Sequence, residues 1–203
     1  MSAEIWLVRH GETEWTLSKQ HTGTTDIPLT PMGEDQARAL KLALAEGEFA
    51  AVFTSPLQRA RRTAELAGFP DAVVDGDLVE VNYGEYEGRT SADIRKERPD
   101  WLLWRDGTPG GESIDDVGRR ADRVIDRIDA AGGDVLLFGH GHFSRVLAAR
   151  LLELPPSEGS RLMLGPGSLS VIGDEHDVRA IRTWNVTAAP PRTPPAPSAP
   201  PSP

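Results

Sequence analysis

The sequence predicts an α/β protein with three layers, in which a mostly parallel central sheet is covered by helices on both faces. Short apolar runs rich in β-branched and aromatic residues occur at residues 3–8, 50–53 and 134–138. Each run is followed by a longer stretch whose apolar residues have helical spacing. This alternation is typical of parallel sheets, because the connection between two parallel strands is usually a helix.

The helices are predicted from apolar spacing and from their boundary residues. Thr30 and Pro31 suit the N-cap and first position of a helix that continues to about residue 48. Residues 113–131 carry apolar side chains on one helical face, and Gly132 and Gly133 end that helix. The other predicted elements are helices at 55–67 (capped by Ser55 and Pro56), 93–97 and 143–152, a weak strand at 73–74, and a closing hairpin of strands 170–172 and 178–184.

The composition limits size, location and partners. The 203 residues suffice for one domain, and none of them is cysteine, so disulfides, thiolate metal sites and a cysteine nucleophile are excluded. The formal net charge of −9 argues against a broad nucleic-acid-binding surface. Since we find neither a long apolar run nor a signal-peptide pattern, we expect a cytoplasmic protein without a membrane partner.

The C-terminal segment differs from the rest of the chain in composition. Residues 1–187 are expected to form the folded domain, whereas residues 188–203 are dominated by Pro, Ala, Ser and Thr and are expected to be a disordered tail. Such a proline-rich tail is either a docking peptide for a proline-binding module or a solvated extension. The composition favours the solvated extension.

Arginines and histidines follow each of the three main predicted strands. Arg9 and His10 follow the first strand, and Arg59 lies in the first turn of the helix after the second strand. His140 and His142 follow the third strand. The carboxyl ends of parallel strands lie at one edge of a sheet, where ligands bind in such folds. We therefore expect these side chains to converge.

This combination of side chains suits a phosphoryl group. An arginine guanidinium binds two phosphate oxygens in a fork, and a helix N-terminus offers free N–H groups. A neutral histidine can act as a nucleophile, and phosphoryl transfer depends mainly on positioning and charge neutralisation. Taken alone, a histidine is more often structural and an arginine is more often a solvated charge. Their joint placement at three strand ends is what favours a phosphate site, with no metal or other cofactor.

The motifs around these residues resemble those of the histidine phosphatase superfamily, which includes the cofactor-dependent phosphoglycerate mutases. Residues 7–13 (LVRHGET) resemble its signature, residues 78–88 (LVEVNYGEYEG) its acid block, and residues 138–141 (FGHG) its second histidine block. The resemblance implies the histidine phosphatase (phosphoglycerate mutase-like) fold for residues 1–187, and the GHFSR run from Gly141 resembles the small acid phosphatases. Further similar blocks, in the expected order, are Trp15, residues 21–23 (HTG), 29–33 (LTPMG), 55–60 (SPLQRA) and 110–113 (GGES).

The resemblance implies a role for each candidate residue. His10 would be the nucleophile that takes up the phosphoryl group, and Glu80 the general acid that protonates the leaving oxygen. Spacing alone does not choose Glu80 over Glu85 or Glu87; the resemblance chooses it. Arg9, Arg59 and His140 would form the phosphate pocket. The implied substrate-binding residues are Arg9, Thr16, Thr22, Gly23, Arg59, Gly141 and His142.

The sequence departs from the family's pattern at two positions. Thr16 stands where the family often has Asn, which weakens its assignment as a substrate contact. His142 stands where Gly or Ala is common, and it either contacts substrate, supports His140 or packs as a helix-cap residue. The segment with Trp101 and Trp104 is either a lid over the substrate or an edge of the core, and we favour the lid.

The predicted activity is hydrolysis of small phosphomonoesters through a phosphohistidine on His10. A mutase, which returns the phosphoryl group to a second oxygen of the same molecule, stays open, as does an inactive module that only binds phosphate. A metal hydrolase is disfavoured because His140 and His142 are not accompanied by a further ligand pattern. The expected partner is a small phosphorylated metabolite, and a homodimer is left open.

Overall fold

The structure, a computed structural model that describes residues 3–176 and 178–187, has the predicted α/β architecture. Its described residues form a sheet with the strand order β3-β2-β4-β1-β5-β6. The predicted tail, residues 188–203, lies outside the described residues. The strands are β1 (Ile5–Arg9), β2 (Ala51–Thr54), β3 (Val73–Val74), β4 (Val135–Gly139), β5 (Ser168–Glu175) and β6 (Val178–Thr187). The helices are α1 (Glu14–Ser18), α2 (Pro31–Leu44), α3 (Gln58–Leu66), α4 (Ser91–Glu97), α5 (Leu103–Asp106), α6 (Ile114–Ala130) and α7 (Gly141–Leu151).

The pairing of the strands confirms a mostly parallel sheet. Strand β4 pairs in parallel with β1 and with β2, and β2 pairs in parallel with β3. The predicted closing hairpin, β5 and β6, is antiparallel and extends the sheet beyond β1. In the register of the sheet Arg9 lies opposite Gly139 and Thr54 opposite Phe138, so the carboxyl ends of β1, β2 and β4 are level.

One face of the sheet is covered by α6 and α7. Successive side chains of a strand point to opposite faces, so Ile5 and Leu7 share one face of β1. Together with side chains from β4, α6 and α7 they form the larger core cluster, whose buried members include Val124 and Leu147. Fully burying an aliphatic side chain of this size contributes about 1.5–3 kcal/mol.

The opposite face of the sheet is covered by α2 and α3. Val8 and Phe138 are fully buried there, and they pack in a second core cluster with Leu40 and Leu44 of α2. Ala64 and Ala67, at the end of α3, complete this cluster. The three layers predicted from the sequence are therefore present.

Two helix starts show how local chemistry sets the boundaries. Thr30 caps α2 as predicted, since its side chain accepts a hydrogen bond from the N–H of Gly33 and Pro31 is the first helical residue. The predicted cap of α3 by Ser55 and Pro56 is wrong: α3 begins at Gln58 after Leu57, without a side-chain cap. The Ser55 hydroxyl is instead bound to His140, as described below.

The remaining boundaries differ modestly from the prediction. Helix α7 begins two residues earlier than expected, with His140 as its N-cap. The short helices α1 and α5 were not predicted, because five and four residues are too few to show a helical period. Among the described residues, no helix is both long and apolar enough to span a membrane.

The loop after His10 is packed directly against the start of α2. A side-chain Cβ placed on Gly33 would lie 2.1 Å from the carbonyl oxygen of Glu12, and one on Gly11 would lie 2.2 Å from the carbonyl oxygen of Gly33. Both obstacles are backbone atoms, which cannot rotate away. Glycine at these two positions is therefore required for α2 to lie against the loop that carries His10.

We expect Gly33→Ala to destabilise the protein, because overpacking against backbone costs about 1–3 kcal/mol. For a domain of this size that corresponds to a fall in Tm of roughly 2–12 °C, measured by thermal unfolding. Gly76→Ala is the matched control, since a Cβ on Gly76 would meet nothing within 4 Å. Equal Tm values for the two variants would contradict the close approach of α2 to the loop.

Candidate active site

A cavity of about 230 Å³ lies at the carboxyl edge of the parallel strands. It contains residues that follow β1 and β4, together with Glu80 and residues of α1 and the loop after it. The residues that line it are Arg9, His10, Trp15, Thr16, Lys19, Gln20, His21, Thr22, Glu80, Tyr83, Gly141, His142, Arg145 and Leu164. A larger surface cavity of about 590 Å³ lies between α2, α3 and β2, but its described lining contains no histidine, and its Arg62 is paired with Glu34 and Glu65.

His10 is a buried, neutral imidazole with a fixed orientation. Its Nδ1 lies 2.7 Å from the carbonyl oxygen of Gly11, and since a carbonyl can only accept, Nδ1 carries the proton. The lone pair is therefore on Nε2. Burial, followed by the positive charges of Arg59 and Arg9, lowers the pKa of His10 well below its usual value. This is the state that a histidine nucleophile requires.

Arg59 is fully buried and is not among the described residues that line the cavity, but its charge is close enough to lower the pKa of His10. Its Nη1 and Nη2 donate to the backbone carbonyls of Thr25, Thr22 and Gly23, each at 3.0 Å, and its Nε donates to Nδ1 of His140 at 3.2 Å. Burial lowers the pKa of Arg59, but an arginine stays charged in proteins. Four of its five N–H groups thus bind described parts of the chain, and the fifth is on Nη1.

His140 is held between Arg59 and Ser55. Because Arg59 can only donate, Nδ1 of His140 is the acceptor, and its Nε2 carries the proton and lies 2.7 Å from the Ser55 hydroxyl. Burial, then the charge of Arg59, lowers the pKa of His140 well below its usual value. The His140 and His10 rings lie edge to face, with centroids 5.2 Å apart. The two histidines predicted to converge are therefore in contact.

Arg9 supplies a second cation to the cavity. Its Nη1 donates to the carbonyl oxygen of Leu164, and its Nε is buried without a hydrogen-bond partner in the described structure. A Cβ on Gly141 would lie 3.1 Å from the guanidinium carbon of Arg9, so glycine at the start of α7 leaves room for this side chain. An unpaired buried N–H is costly unless a ligand accepts from it, and a phosphate oxygen would do so.

Glu80 binds the N-terminus of α7. Its carboxylate accepts from the N–H groups of Phe143 at 2.8 Å, His142 at 3.0 Å and Val81 at 3.0 Å. It is 6% exposed and lines the cavity with His10 and Arg9. Carboxylates are favoured at a helix N-terminus, where free N–H groups carry partial positive charge.

The geometry separates Glu80 from the other two acidic residues of its block. Glu85 is exposed on the surface. The Glu87 carboxylate accepts from the N–H groups of Gly23 and Thr25, and so holds the loop whose carbonyls bind Arg59. Of the three, Glu80 alone is a lining residue of the described cavity.

A partly buried ion pair holds the segment that carries Glu80. Arg120 of α6 is 6% exposed, pairs with Glu112 at 2.9 Å, and lies over the ring of Phe143. The Glu112 carboxylate also accepts from the N–H of Asn82 at 2.9 Å. The guanidinium of Arg120 donates to three backbone carbonyls of this segment, those of Asp77, Val79 and Glu80. The sequence gives no local signal of this role, because Arg120 lies forty positions away from Glu80.

Of the three substrate contacts predicted in the first half of the chain, two line the cavity and one does not. Thr16 and Thr22 line the cavity. Thr16 also forms a capping box with Thr13 at the start of α1, and the backbone carbonyl of Thr22 binds Arg59. Gly23 is not among the described lining residues; its N–H binds Glu87 and its carbonyl binds Arg59. Its contact to substrate stays a prediction.

His142 belongs to an aromatic wall of the cavity. Its Nδ1 lies 2.6 Å from the hydroxyl oxygen of Tyr83, and its ring packs against Trp104 and His21. Burial, then the charge of Arg145, lowers the pKa of His142 well below its usual value. No hydrogen bond or ring contact joins it to His140 among the described residues. This position suits the substrate contact, and its backbone N–H at the same time binds Glu80.

The prediction that this segment forms a lid over the substrate is wrong for Trp101. Its side chain is 2% exposed, donates from Nε1 to the carbonyl oxygen of Gly107, and packs edge-on against Tyr86 in the larger core cluster. Trp104 is partly buried at the border of the same cluster. In the core the apolar surface of Trp101 is removed from water, whereas a lid would leave part of it exposed.

The described residues contain no group of three or more His, Asp or Glu side chains that could hold a metal ion. The cations that face the cavity are instead arginines and a lysine.

Comparison with known proteins identifies the family. The model of the histidine phosphatase superfamily (branch 1) matches residues 5–187. The chain belongs to this superfamily. The family and the fold implied by its motifs are therefore confirmed.

The chain is similar to several proteins of this superfamily. It is 42% identical over 190 residues to an acid phosphatase of Mycobacterium tuberculosis, with 92% of this chain and 94% of the relative covered. It is 40% identical over 177 residues to the sedoheptulose 1,7-bisphosphatase of Saccharomyces cerevisiae, covering 70% of this chain and 65% of that protein. The solved structure of an open reading frame product from M. tuberculosis superimposes with a TM-score of 0.89 at 40% identity, covering 93% of this chain and all of that one. Probable phosphoglycerate mutases are also among the relatives.

The buried histidines predict how stability depends on pH. Burial lowers the pKa of His21 to about 4, whereas a histidine of the unfolded chain titrates near 6.5. Between these values the unfolded chain binds more protons than the folded one, so the free energy of unfolding falls as the pH is lowered through this range. In the wild type the free energy of unfolding should therefore be lower at pH 5 than at pH 7.5. We expect His21→Gln to make this difference smaller by about 1–2 kcal/mol, measured by urea denaturation at both pH values.

His176→Gln is the control for this experiment, because the side chain of His176 is 92% exposed. It should keep the pH dependence of the wild type. An unchanged pH dependence in His21→Gln as well would show that His21 is not held neutral by the fold.

Proposed function

We propose that the protein hydrolyses small phosphomonoesters in two steps, with the phosphoryl group carried on Nε2 of His10. The observation that carries this proposal is a neutral imidazole whose Nδ1 donates to a carbonyl, in a cavity that Arg9 also lines, with the charge of buried Arg59 acting on the same ring. Similarity to an acid phosphatase over most of the chain supports hydrolysis as the outcome. The cavity, at about 230 Å³, suits a small metabolite.

In the first step the lone pair on Nε2 of His10 attacks phosphorus. The new N–P bond forms as the bond between phosphorus and the ester oxygen breaks, and Glu80 gives its proton to that oxygen, so the alcohol leaves neutral. In the second step a water oxygen attacks phosphorus and the N–P bond breaks. The Glu80 carboxylate takes a proton from that water, which releases phosphate and restores both residues.

Charge neutralisation in this scheme comes from the protein alone. Arg9 and Arg59 bind the phosphoryl oxygens, and the N-terminal N–H groups of α7 add partial positive charge. We therefore propose a reaction that needs no metal ion. Because burial and the two arginines lower the pKa of His10, the imidazole stays neutral as the pH falls, and we expect activity to persist at acidic pH.

Two further expectations accompany this proposal. The partner is a small phosphorylated metabolite, and we place the reaction in the cytoplasm, which the absence of cysteine favours. A mutase of the same design would return the phosphoryl group to its substrate and release no phosphate. A binding module would have no use for an acid and a nucleophile in one cavity.

His10→Ala should abolish turnover, with less than about a thousandth of the wild-type rate remaining, because the covalent route is lost. Wild-type protein mixed with labelled substrate and quenched in alkali should carry label that is stable in alkali and released in acid. Both measurements are made with excess chelator present, which should change the wild-type rate by less than about twofold. Label of the same stability on His10→Ala would assign the nucleophile to another residue.

Glu80→Gln should lose activity according to the leaving group. On a sugar phosphate, whose alcohol needs a proton, we expect kcat/KM to fall about a hundredfold or more. On an aryl phosphate, whose leaving group departs as an anion, the loss should be less than about tenfold. Rates of phosphate release from both substrates test this.

Glu87→Gln and Glu85→Gln are the controls for the acid. Glu87 holds the loop behind Arg59, so its variant should slow both substrates equally, and the variant of exposed Glu85 should slow neither. If Glu80→Gln lowered kcat/KM equally on both substrates while circular dichroism showed an intact fold, Glu80 would not be the general acid.

A further inference from the structure

The guanidinium of Arg9 is bound by the loop that precedes β5. Among the described residues, its hydrogen-bond acceptor is the carbonyl oxygen of Leu164, to which Nη1 donates, while its Nε has no partner. The same loop binds the backbone of the nucleophile, since the N–H of Gly167 donates to the carbonyl oxygen of His10 at 2.9 Å. An arginine side chain has many rotamers, so the Leu164 carbonyl is what selects the one that faces the cavity.

The peptide group that binds Arg9 is itself bound from its other side. The carbonyl of Leu164 and the N–H of Gly165 belong to one peptide group, and that N–H donates to Oδ1 of Asn185 at 2.7 Å. A peptide group is planar, and in the trans form its C=O and N–H point in opposite directions. Asn185 and Arg9 therefore bind opposite edges of one rigid unit. Any rotation of this unit would turn the carbonyl away from Arg9.

A β-bulge in β6 brings Asn185 to this peptide group. Between Leu169 and Val171 the pairing of β5 with β6 shifts, and Trp184 and Asn185 lie opposite the single residue Ser170. Successive side chains of a regular strand point to opposite faces, and a bulge breaks this alternation. Both side chains accordingly reach the same loop: Nε1 of Trp184 donates to the carbonyl oxygen of residue 163 at 2.6 Å.

Asparagine meets two requirements at the bulge. The backbone of Asn185 is left-handed, with φ 58°, a conformation that asparagine adopts more readily than most residues other than glycine. Its backbone N–H donates to the Ser170 hydroxyl at 2.9 Å, which leaves the side-chain oxygen for Gly165. Glycine would satisfy the backbone alone, whereas aspartate would satisfy both the backbone and the acceptor.

We propose that Asn185 is a positioning residue for Arg9, acting through the single peptide group between Leu164 and Gly165. This assignment rests on the proposed function, in which Arg9 binds the phosphoryl oxygens. Without the acceptor the peptide group is free to rotate, and the Arg9 guanidinium loses its fixed direction. Because fixed geometry matters most when charge is redistributed in the transition state, the loss should fall mainly on kcat.

Asn185→Gly tests the acceptor, because it keeps the left-handed backbone. On an aryl phosphate we expect kcat/KM to fall about tenfold or more, with less than about threefold change in KM. The Kd of orthovanadate, which imitates the phosphoryl group in transfer, should rise by a similar factor in calorimetric titrations. Asn185→Asp should restore both values to within about threefold of the wild type, since it supplies the same acceptor.

His176→Gly is the matched control for the backbone. His176 lies between β5 and β6, its backbone is also left-handed with φ 50°, and its side chain is 92% exposed. Glycine there changes a left-handed position of the same hairpin without touching the loop that binds Arg9. It should leave kcat/KM and the Kd of orthovanadate unchanged. Thermal unfolding of each variant shows whether the fold is kept.

A double-mutant cycle separates positioning of Arg9 from general damage. In an Arg9→Gln background, Asn185→Gly should change the Kd of orthovanadate by less than about twofold, because the guanidinium that Asn185 positions is absent. A tenfold loss in that background would overturn the assignment. So would wild-type kcat/KM and orthovanadate affinity in Asn185→Gly alone.

These outcomes are distinct from failure of the proposed function. Phosphate release that depends on His10 would leave that function standing even if Asn185→Gly behaved like the wild type. If the wild type released phosphate from no substrate, the proposed function would fail. The orthovanadate affinities of the four proteins in the cycle would still decide whether Asn185 acts through Arg9.

Discussion

The site is organised around one charge, the guanidinium of Arg59, which has no exposure to solvent. A buried cation must be surrounded by acceptors, and here these are three backbone carbonyls of residues 22–25 and one nitrogen of His140. Satisfying Arg59 therefore fixes the loop between α1 and α2, the tautomer of His140 and, through that ring, the position of Ser55.

The charge of Arg59 also acts on the protonation of His10, the proposed nucleophile. His10 is buried near two arginines, so protonation is unfavourable and the ring keeps its lone pair. Gly11 decides which nitrogen carries that lone pair, by accepting from the other one. Arg9 and Arg59 form no ion pair among the described residues, so an anion bound beside them would be stabilised by both charges. The arrangement is suited to the transition state of phosphoryl transfer, where negative charge is spread over the equatorial oxygens.

The sequence predicts which residues meet at the strand ends better than it predicts the residues that hold them in place. Strand and helix alternation suffices to bring His10, Arg59 and His140 to one edge, because parallel strands end level. Local rules favour serine as a helix cap, and they predict this role for Ser55. The Ser55 hydroxyl instead binds the buried imidazole of His140. The positions of Trp101 and Arg120 depend on contacts with residues far away in the sequence, and no local sequence pattern indicates such contacts. Glu80 was identified through resemblance alone, since what distinguishes it from Glu85 and Glu87 is its position at the start of α7.

At that position, three backbone amides can report spectroscopically on the charge of Glu80. The amides of Val81, His142 and Phe143 all donate to the Glu80 carboxylate, and an ionised carboxylate is a stronger acceptor than a protonated one. Their proton and nitrogen chemical shifts should therefore follow the charge of Glu80 during a titration, without any turnover. Recording these three resonances over a pH series with and without phosphate or vanadate would show whether an anion in the cavity changes the ionisation of Glu80.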